Sequence, residues 1–116
     1  MSDLELLRQR IREFRDARDW MQFHTPKNLA CSICIEAAEL LEHFQWSDPG
    51  APGAAPPEKP EAIAQEIADI ATYLIELADN LGIDLQQAIL AKLKINEQKY
   101  PVAKARGSAK KYTELG

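Results

Sequence analysis

The sequence predicts an all-α protein, a four-helix bundle, on three observations. Apolar residues recur at intervals of three and four in four long segments, which is the spacing of one helix face. No run of useful length alternates β-branched or aromatic residues with polar ones, as a half-buried strand would. Proline and glycine collect between the segments, where helices end. At 116 residues the chain can fill one core but not two, so we predict a single domain over residues 1–116.

The first predicted helix spans residues 4–18 and the second spans residues 27–45, with Pro26 suited to the first turn of the second helix. The second helix is apolar nearly all round. One stripe holds Leu29, Ile33, Leu40 and Phe44, and other sides hold Cys31, Cys34, Ile35 and Ala38. A helix of this kind should be covered on most sides, and a short chain has few helices to cover it. We therefore expect a homo-oligomer, a dimer or a tetramer.

A loop over residues 46–60 follows, because five of the seven prolines and two of the five glycines lie there. The third predicted helix spans residues 61–80. Its core side is marked by Ile63, Ile67, Ile70, Leu74, Leu77 and Leu81. Asp84 is suited to cap the fourth helix, with Gln87 three residues on, and that helix should end at Tyr100. Residues 102–116 are expected to form an irregular tail.

The second and third helices each carry an acidic pair beside the apolar stripe: Glu36 with Glu39, and Glu66 with Asp69, the second pair sharing its flank with Tyr73. Unpaired buried carboxylates are costly, so two such pairs favour a bound cation. An all-oxygen set without clustered histidine or cysteine favours Mg²⁺, with Mn²⁺ as a substitute, over zinc. Solvated acids at the helix edges are the alternative, and for any single residue the stronger one.

Further polar and aromatic residues are candidates for binding a ligand. On the fourth helix the inner line becomes polar at Lys92, Asn96 and Lys99, either to meet phosphate oxygens or because the helix end emerges into solvent. Aromatic and histidine side chains could line a pocket for a base, although each alone is by default a packing residue: Trp20, Phe23, His24, Trp46 and Tyr73. His24 is expected to be a local hydrogen-bonding residue unless a pocket adjoins it.

Composition excludes several classes of function. The net charge of −4 disfavours a duplex nucleic-acid partner, and no apolar run is long enough to span a membrane. The first residues are charged throughout and lack the apolar core of a signal peptide, so we expect a cytoplasmic protein. Cys31 and Cys34 are interpreted as packing residues rather than redox or zinc ligands. The chain has no GxxxxGK[ST] loop.

The acidic pairs form an ExxE and an ExxD motif separated by 26 residues, and this pattern resembles the signature of the MazG-like all-α NTP pyrophosphatases. The resemblance is strongest to the dCTP pyrophosphatase (dCTPase 1) branch and rests on four segments in the same order. These are residues 23–29 (FHTPKNL), 36–46 (EAAELLEHFQW), 66–73 (EIADIATY) and 94–101 (KINEQKYP). Many relatives carry another glutamate before the first motif, where this chain has Ile35.

The resemblance implies hydrolysis of a (deoxy)nucleoside triphosphate, dCTP or a modified cytidine nucleotide, to the monophosphate and pyrophosphate. It implies Mg²⁺ held by Glu36, Glu39, Glu66 and Asp69. The chemistry of water attack calls for a general base, for which our candidates are Glu36 and Glu39. The resemblance places Lys92, Asn96, Lys99 and Tyr100 near the phosphates. It places His24, Trp46, Tyr73 and Trp20 near the base or sugar. It also implies an oligomer whose sites are built by more than one chain.

Two other functions are compatible with a helical chain of this size. A non-catalytic helical oligomerisation module would explain the apolar second helix, but it would assign no function to the acidic pairs. Di-iron chemistry in a helix bundle needs Glu-x-x-His pairs, and neither His24 nor His43 has a glutamate three residues before it.

Overall fold

All regular structure in the described part of the chain, residues 1–46 and 60–116 of a computed structural model, is helical. The helices are α1 (Asp3–Ala17), α2 (Pro26–Glu42), α3 (Pro60–Asn80), α4 (Leu85–Lys99) and α5 (Val102–Ala105), and 3₁₀ turns occur at Met21–Phe23 and Tyr112–Glu114. The all-α prediction is confirmed, and each of the four predicted helices is present. In these ranges no helix combines the length and apolar composition needed to cross a bilayer.

Two predicted segments differ in detail from the structure. Helix α2 ends at Glu42 rather than near residue 45, and turns occupy residues 43–46. The tail that we expected to be irregular contains one turn of helix, α5, because Pro101 at its start has the backbone angles of a helix N-cap and cannot extend α4. Of the predicted proline-rich loop over residues 46–60, residues 47–59 lie outside the part of the chain that the structure describes.

Capping residues fix where two of the helices begin. The Thr25 hydroxyl accepts a hydrogen bond from the Asn28 backbone N–H at 3.2 Å, and Pro26 occupies the first turn of α2. The Asp84 carboxylate accepts a hydrogen bond from the Gln87 N–H at 3.0 Å, which confirms its predicted role as the cap of α4. Both caps satisfy backbone donors that the helix itself leaves free.

The chain divides into two compact units, residues 1–82 and residues 83–116. In the first unit α3 packs against α2 and also against α1. The second unit contains α4, α5 and the final 3₁₀ turn. Within the described ranges, the regular structure of both units is helical, as the apolar periodicity predicts.

The buried apolar core is small: among the described residues only Leu29 and Ala78 are buried apolar side chains, with 1% and 8% of their surface exposed. The predicted core stripe of α3 is partly wrong, because Ile67, Leu74 and Leu81 are 53%, 44% and 52% exposed. The apolar stripe of α3 is therefore wider than the surface that its neighbours cover.

A left-handed residue reverses the chain after α1. Asp19 has φ 54°, and it is the one non-glycine residue in the described ranges with a positive φ. The Trp20 N–H donates to the Arg15 carbonyl at 3.1 Å across this turn, as in a helix C-cap. Aspartate tolerates this conformation better than most side chains do, because its carboxylate can bond locally. The Asp19 carboxylate accepts such a bond from the Gln22 side-chain amide at 3.0 Å.

We expect Asp84→Ala to lower the free energy of unfolding by about 1 kcal/mol, because the first turn of α4 loses its side-chain acceptor. The Asp84→Asn variant serves as the matched control, since asparagine caps helices about as well as aspartate. Urea denaturation followed by circular dichroism measures both. Equal stability of Asp84→Ala and the unaltered protein would show that the cap contributes nothing.

Candidate functional site

Three carboxylates from two helices converge in the first unit. Glu36 and Glu39 lie on α2 and Glu66 lies on α3, and one oxygen from each falls within 4.8 Å of the others. The packing of α2 against α3 brings them together, since each acidic pair borders the face that its helix turns toward its neighbour. Convergence of the two predicted acidic pairs is thus observed for three of their four members.

The carboxylate cluster is short of hydrogen-bond donors. The Glu36 Oε2 and Glu66 Oε2 atoms are buried, and neither has a hydrogen-bond partner among the described residues. Burial is the largest cause that raises the pKa of the Glu36 carboxyl to about 7, and the neighbouring Glu39 and Glu66 carboxyls act in the same direction. Converging buried oxygens without donors form a set that fits a hard divalent cation.

Asp69, the fourth predicted acid, lies near the cluster. Its charge contributes to the raised pKa of the Glu36 carboxyl, after the contributions of burial and the neighbouring glutamates. It also contributes, after burial and Glu36, to the raised pKa of the Tyr73 hydroxyl. Asp69 and Tyr73 therefore lie within electrostatic reach of the acidic cluster.

A cleft of about 720 Å³ lies between α1 and α3. Its apolar lining consists of Leu7, Ile11, Phe14, Ala68, Ala71 and Ile75. Its polar and aromatic lining consists of Arg10, Arg15, Trp20, His24, Asp69, Thr72, Tyr73 and Glu76. Three of the predicted base-binding residues, Trp20, His24 and Tyr73, thus meet in one cavity, and Asp69 and Tyr73 connect it with the acidic cluster.

Aromatic side chains line the end of the cleft near the turn that follows α1. The rings of Phe14 and Trp20 meet edge to face with centroids 5.7 Å apart, and the Trp20 and His24 rings lie 6.0 Å apart at 48°. The Arg18 guanidinium lies 3.8 Å from the Phe14 ring centroid. A cleft with apolar walls and a few polar groups is the usual form of a small-molecule site.

The remaining predicted binding residues are placed elsewhere. Trp46 is 86% exposed at the edge of the described range. In the second unit Lys92 and Asn96 line a shallow pocket of about 270 Å³ with Ala88, Ile89 and Leu93. The Lys99 ammonium lies 4.8 Å from the centroid of the Tyr112 ring, and the Tyr100 ring meets the same ring edge to face at 6.0 Å.

Sequence reasoning missed two residues of the first-unit site. His43 Nε2 lies 3.8 Å from Glu66 Oε1, and its position four residues after Glu39 put it on the acidic face of α2. Glu76 lies 2.7 Å from His24 Nδ1. It continues the flank that carries Glu66, three residues beyond Tyr73, so the helical spacing could have identified it.

Comparison with known proteins agrees with this geometry. A model of the MazG-like family matches residues 31–115. The mouse dCTP pyrophosphatase 1 is 45% identical over 97% of this chain and 67% of its own length, and the human dCTP pyrophosphatase 1 is 43% identical over the same shares. A crystal structure of a pyrophosphatase from Archaeoglobus fulgidus superposes with a TM-score of 0.72 at 39% identity. That match covers 87% of this chain and 94% of the other.

The helical fold and the converging acidic pairs define an all-α protein with a carboxylate-rich site suited to a divalent cation. The chain belongs to the MazG-like family, whose model covers most of its length. This confirms the resemblance that the acidic motifs indicated.

The raised pKa of Glu36 predicts a pH-dependent stability for the metal-free protein. A carboxyl whose pKa rises from 4.5 to about 7 on folding binds a proton more tightly in the folded state. Its contribution to stability is therefore fully present below about pH 4.5 and is lost as the pH rises to about 7. Relative to the unaltered protein, Glu36→Gln should become progressively more stable between pH 5 and about 7, and the difference should level off above that value.

Urea denaturation in EDTA at a series of pH values measures this difference. The comparison between the two proteins cancels the titration of distant groups. A difference that stays constant, or that shrinks as the pH rises, would contradict the raised pKa.

Proposed function

We propose that this chain is a nucleotide pyrophosphohydrolase that converts a (deoxy)nucleoside triphosphate, dCTP or a modified cytidine nucleotide, to the monophosphate and pyrophosphate. The observation that carries the proposal is the convergence of Glu36, Glu39 and Glu66 beside a cleft with aromatic walls. It is supported by the dCTP pyrophosphatases at 43% to 45% identity.

The acidic residues are proposed to hold Mg²⁺, for which Mn²⁺ can substitute, through Glu36, Glu39, Glu66 and Asp69. Two buried oxygens, on Glu36 and Glu66, have no hydrogen-bond partner in residues 1–46 and 60–116, and they support this assignment because oxygen-rich sites suit hard cations. When bound, such a cation screens the charge of the triphosphate and lowers the pKa of an attacking water. The carboxylates thereby become ligands rather than mutually repelling charges.

The reaction adds water across one phosphoanhydride bond. The water oxygen bonds to the α-phosphorus while the bond from that phosphorus to the oxygen bridging to the β-phosphorus breaks, and pyrophosphate leaves. One carboxylate, Glu36 or Glu39, accepts a proton from the water.

The cleft between α1 and α3 is proposed to receive the base and sugar, with Trp20, His24 and Tyr73 as contacts. The edge-to-face Phe14 and Trp20 rings give it an apolar wall on which a flat base can pack. Trp46 is proposed as a further contact. Phosphate contacts are proposed for Lys92, Asn96, Lys99 and Tyr100, which the second unit presents on or next to α4.

A homo-oligomer, dimeric or tetrameric, is proposed from the apolar surface. Ile35 and Leu41 on α2 are 59% and 68% exposed, and buried apolar side chains are few among the described residues. Contiguous exposed apolar surface is typical of protein interfaces. A second copy of the chain is the occupant that the family resemblance implies.

Purified protein with Mg²⁺ should release pyrophosphate from one or more members of a triphosphate panel, with cytidine nucleotides hydrolysed fastest. Glu36→Gln should lower kcat at least about 100-fold, because it removes a charged ligand and a candidate base. Glu42→Gln, on the same helix but outside the carboxylate cluster, is the matched control and should keep its activity. Absence of hydrolysis across the panel by folded protein would defeat the proposal.

Calorimetric titration with Mg²⁺ separates the enzyme from the alternative, a non-catalytic oligomerisation module. The enzyme should bind the cation, and Glu36→Gln should weaken that binding. A folded protein that neither binds the cation nor hydrolyses nucleotides would favour the module.

Sedimentation equilibrium should give a mass of two or four chains of 13.0 kDa each. Ile35→Lys should shift the distribution toward smaller species, since a charge on an apolar interface is costly to desolvate. Lys27→Ala, an exposed polar position on the same helix, is the control. A monomer at high protein concentration would contradict the oligomer.

A further inference from the structure

Two of the four most buried residues in the described chain are charged. Glu76 on α3 is 3% exposed and Arg15 on α1 is 8% exposed, whereas Leu29 and Ala78 are the buried apolar residues. A carboxylate that loses its water needs partners that replace those hydrogen bonds. The hydrogen-bond partners of Glu76 therefore indicate the role of this buried carboxylate.

The partners of Glu76 come from three parts of the first unit. The Glu76 Oε2 atom lies 2.7 Å from His24 Nδ1, and the Asn80 side-chain amide donates to the same oxygen at 3.4 Å. Arg15 Nη1 lies 4.0 Å from that oxygen and donates to Asn80 Oδ1 at 3.1 Å. Arg15 and Asn80 thus fix the carboxylate, and the shortest of these bonds is the one to His24.

This arrangement favours one tautomer of the neutral His24 ring. A carboxylate in its ionised form accepts hydrogen bonds only, so in the contact with such a carboxylate His24 Nδ1 is the donor. The opposite ring nitrogen, Nε2, makes no hydrogen bond to any residue in the described ranges. Because His24 lines the cleft, Nε2 is the ring atom left for a ligand.

We propose that Glu76 is a positioning residue, which holds the His24 ring with Nδ1 protonated so that Nε2 can accept a hydrogen bond from the base or sugar of the nucleotide. This inference rests on the proposed function, in which His24 contacts the substrate. Arg15 and Asn80 support Glu76 in turn. The class of ligand follows from the chemistry: a group that donates a hydrogen bond, such as an exocyclic amine or a sugar hydroxyl.

The same two helices offer a matched control for packing. Arg12 on α1 forms a two-pronged ion pair with Asp79 on α3, and its Nε lies 2.6 Å from Asp79 Oδ2. This pair joins α1 to α3 as the Arg15–Glu76 contact does, but it does not touch His24. Asp79→Asn therefore weakens an ionic contact between the two helices without affecting the orientation of the ring.

Steady-state kinetics test the proposal with the hydrolysed nucleotide identified by the panel. Glu76→Leu, close in size but without an acceptor, should raise KM roughly tenfold and change kcat by less than about threefold, because the ring contacts the base or sugar rather than the reacting phosphorus. Asp79→Asn should leave both constants unchanged. Equal effects of the two variants would mean that Glu76 serves only the packing of α1 on α3.

A double-mutant cycle shows whether Glu76 acts through His24. In a His24→Ala background the Glu76→Leu change should have little further effect on KM, since the ring that it positions is already gone. Additive losses from the two changes would overturn the proposal. Thermal unfolding of each variant verifies that the compared proteins are folded.

The ring itself can be observed without enzymatic activity. In ¹⁵N-histidine-labelled protein at alkaline pH, the His24 signal, assigned by its loss in His24→Ala, should show a protonated Nδ1 and a bare Nε2. The opposite tautomer would overturn the positioning role even if Glu76→Leu fails to fold. The expected tautomer in a protein that hydrolyses no nucleotide would uphold the His24–Glu76 arrangement and place the failure in the proposed function.

Discussion

The repulsion among Glu36, Glu39 and Glu66 is the constraint on which the rest of the structure depends. Three carboxylates within 4.8 Å, two of them with buried oxygens that have no partner in the described ranges, are unfavourable to assemble without a counter-charge. The packing of α2 against α3 holds them together nevertheless. Protonation of Glu36 relieves part of this repulsion, because the pKa of its carboxyl is raised to about 7. If the cluster is the proposed metal site, it would be a case in which stability is lost in favour of function.

Helix α3 contributes residues both to the cleft and to the acidic cluster. Asp69 and Tyr73 line the cleft, and both lie within electrostatic reach of Glu36. One flank of a single rigid helix thus carries metal-binding candidates at its start and Glu76 further along. A rigid helix preserves the spacing between these groups better than a loop does. A nucleotide whose phosphates are held at the acidic cluster through the proposed cation would have its base and sugar within reach of the aromatic wall.

Much of this could be predicted from the sequence. Caps and prolines located the helices, because they act through backbone groups next to them in the chain, as Asp84 shows. The spacing of three residues located the acidic pairs, because it sets direction on a helix. The periodicity of apolar residues predicts which face of a helix is apolar, but it does not predict which other elements cover that face. The exposure of Ile67 and Leu74 could therefore not be predicted. The pairing of Glu76 with His24, 52 residues apart, depends on how the first unit packs, and no local pattern encodes that partner.

The left-handed turn at Asp19 has a consequence for how this protein can diverge. Trp20 and His24 follow that turn directly, so one backbone conformation determines the direction of the whole connection. A β-branched residue at position 19 would disfavour it by about 1–2 kcal/mol and would displace both rings together. The positions of both rings therefore depend on the backbone conformation at Asp19. New ligand preferences can arise by exchanging the side chains of Trp20 and His24, whereas an insertion between Asp19 and His24 would displace one or both of these rings.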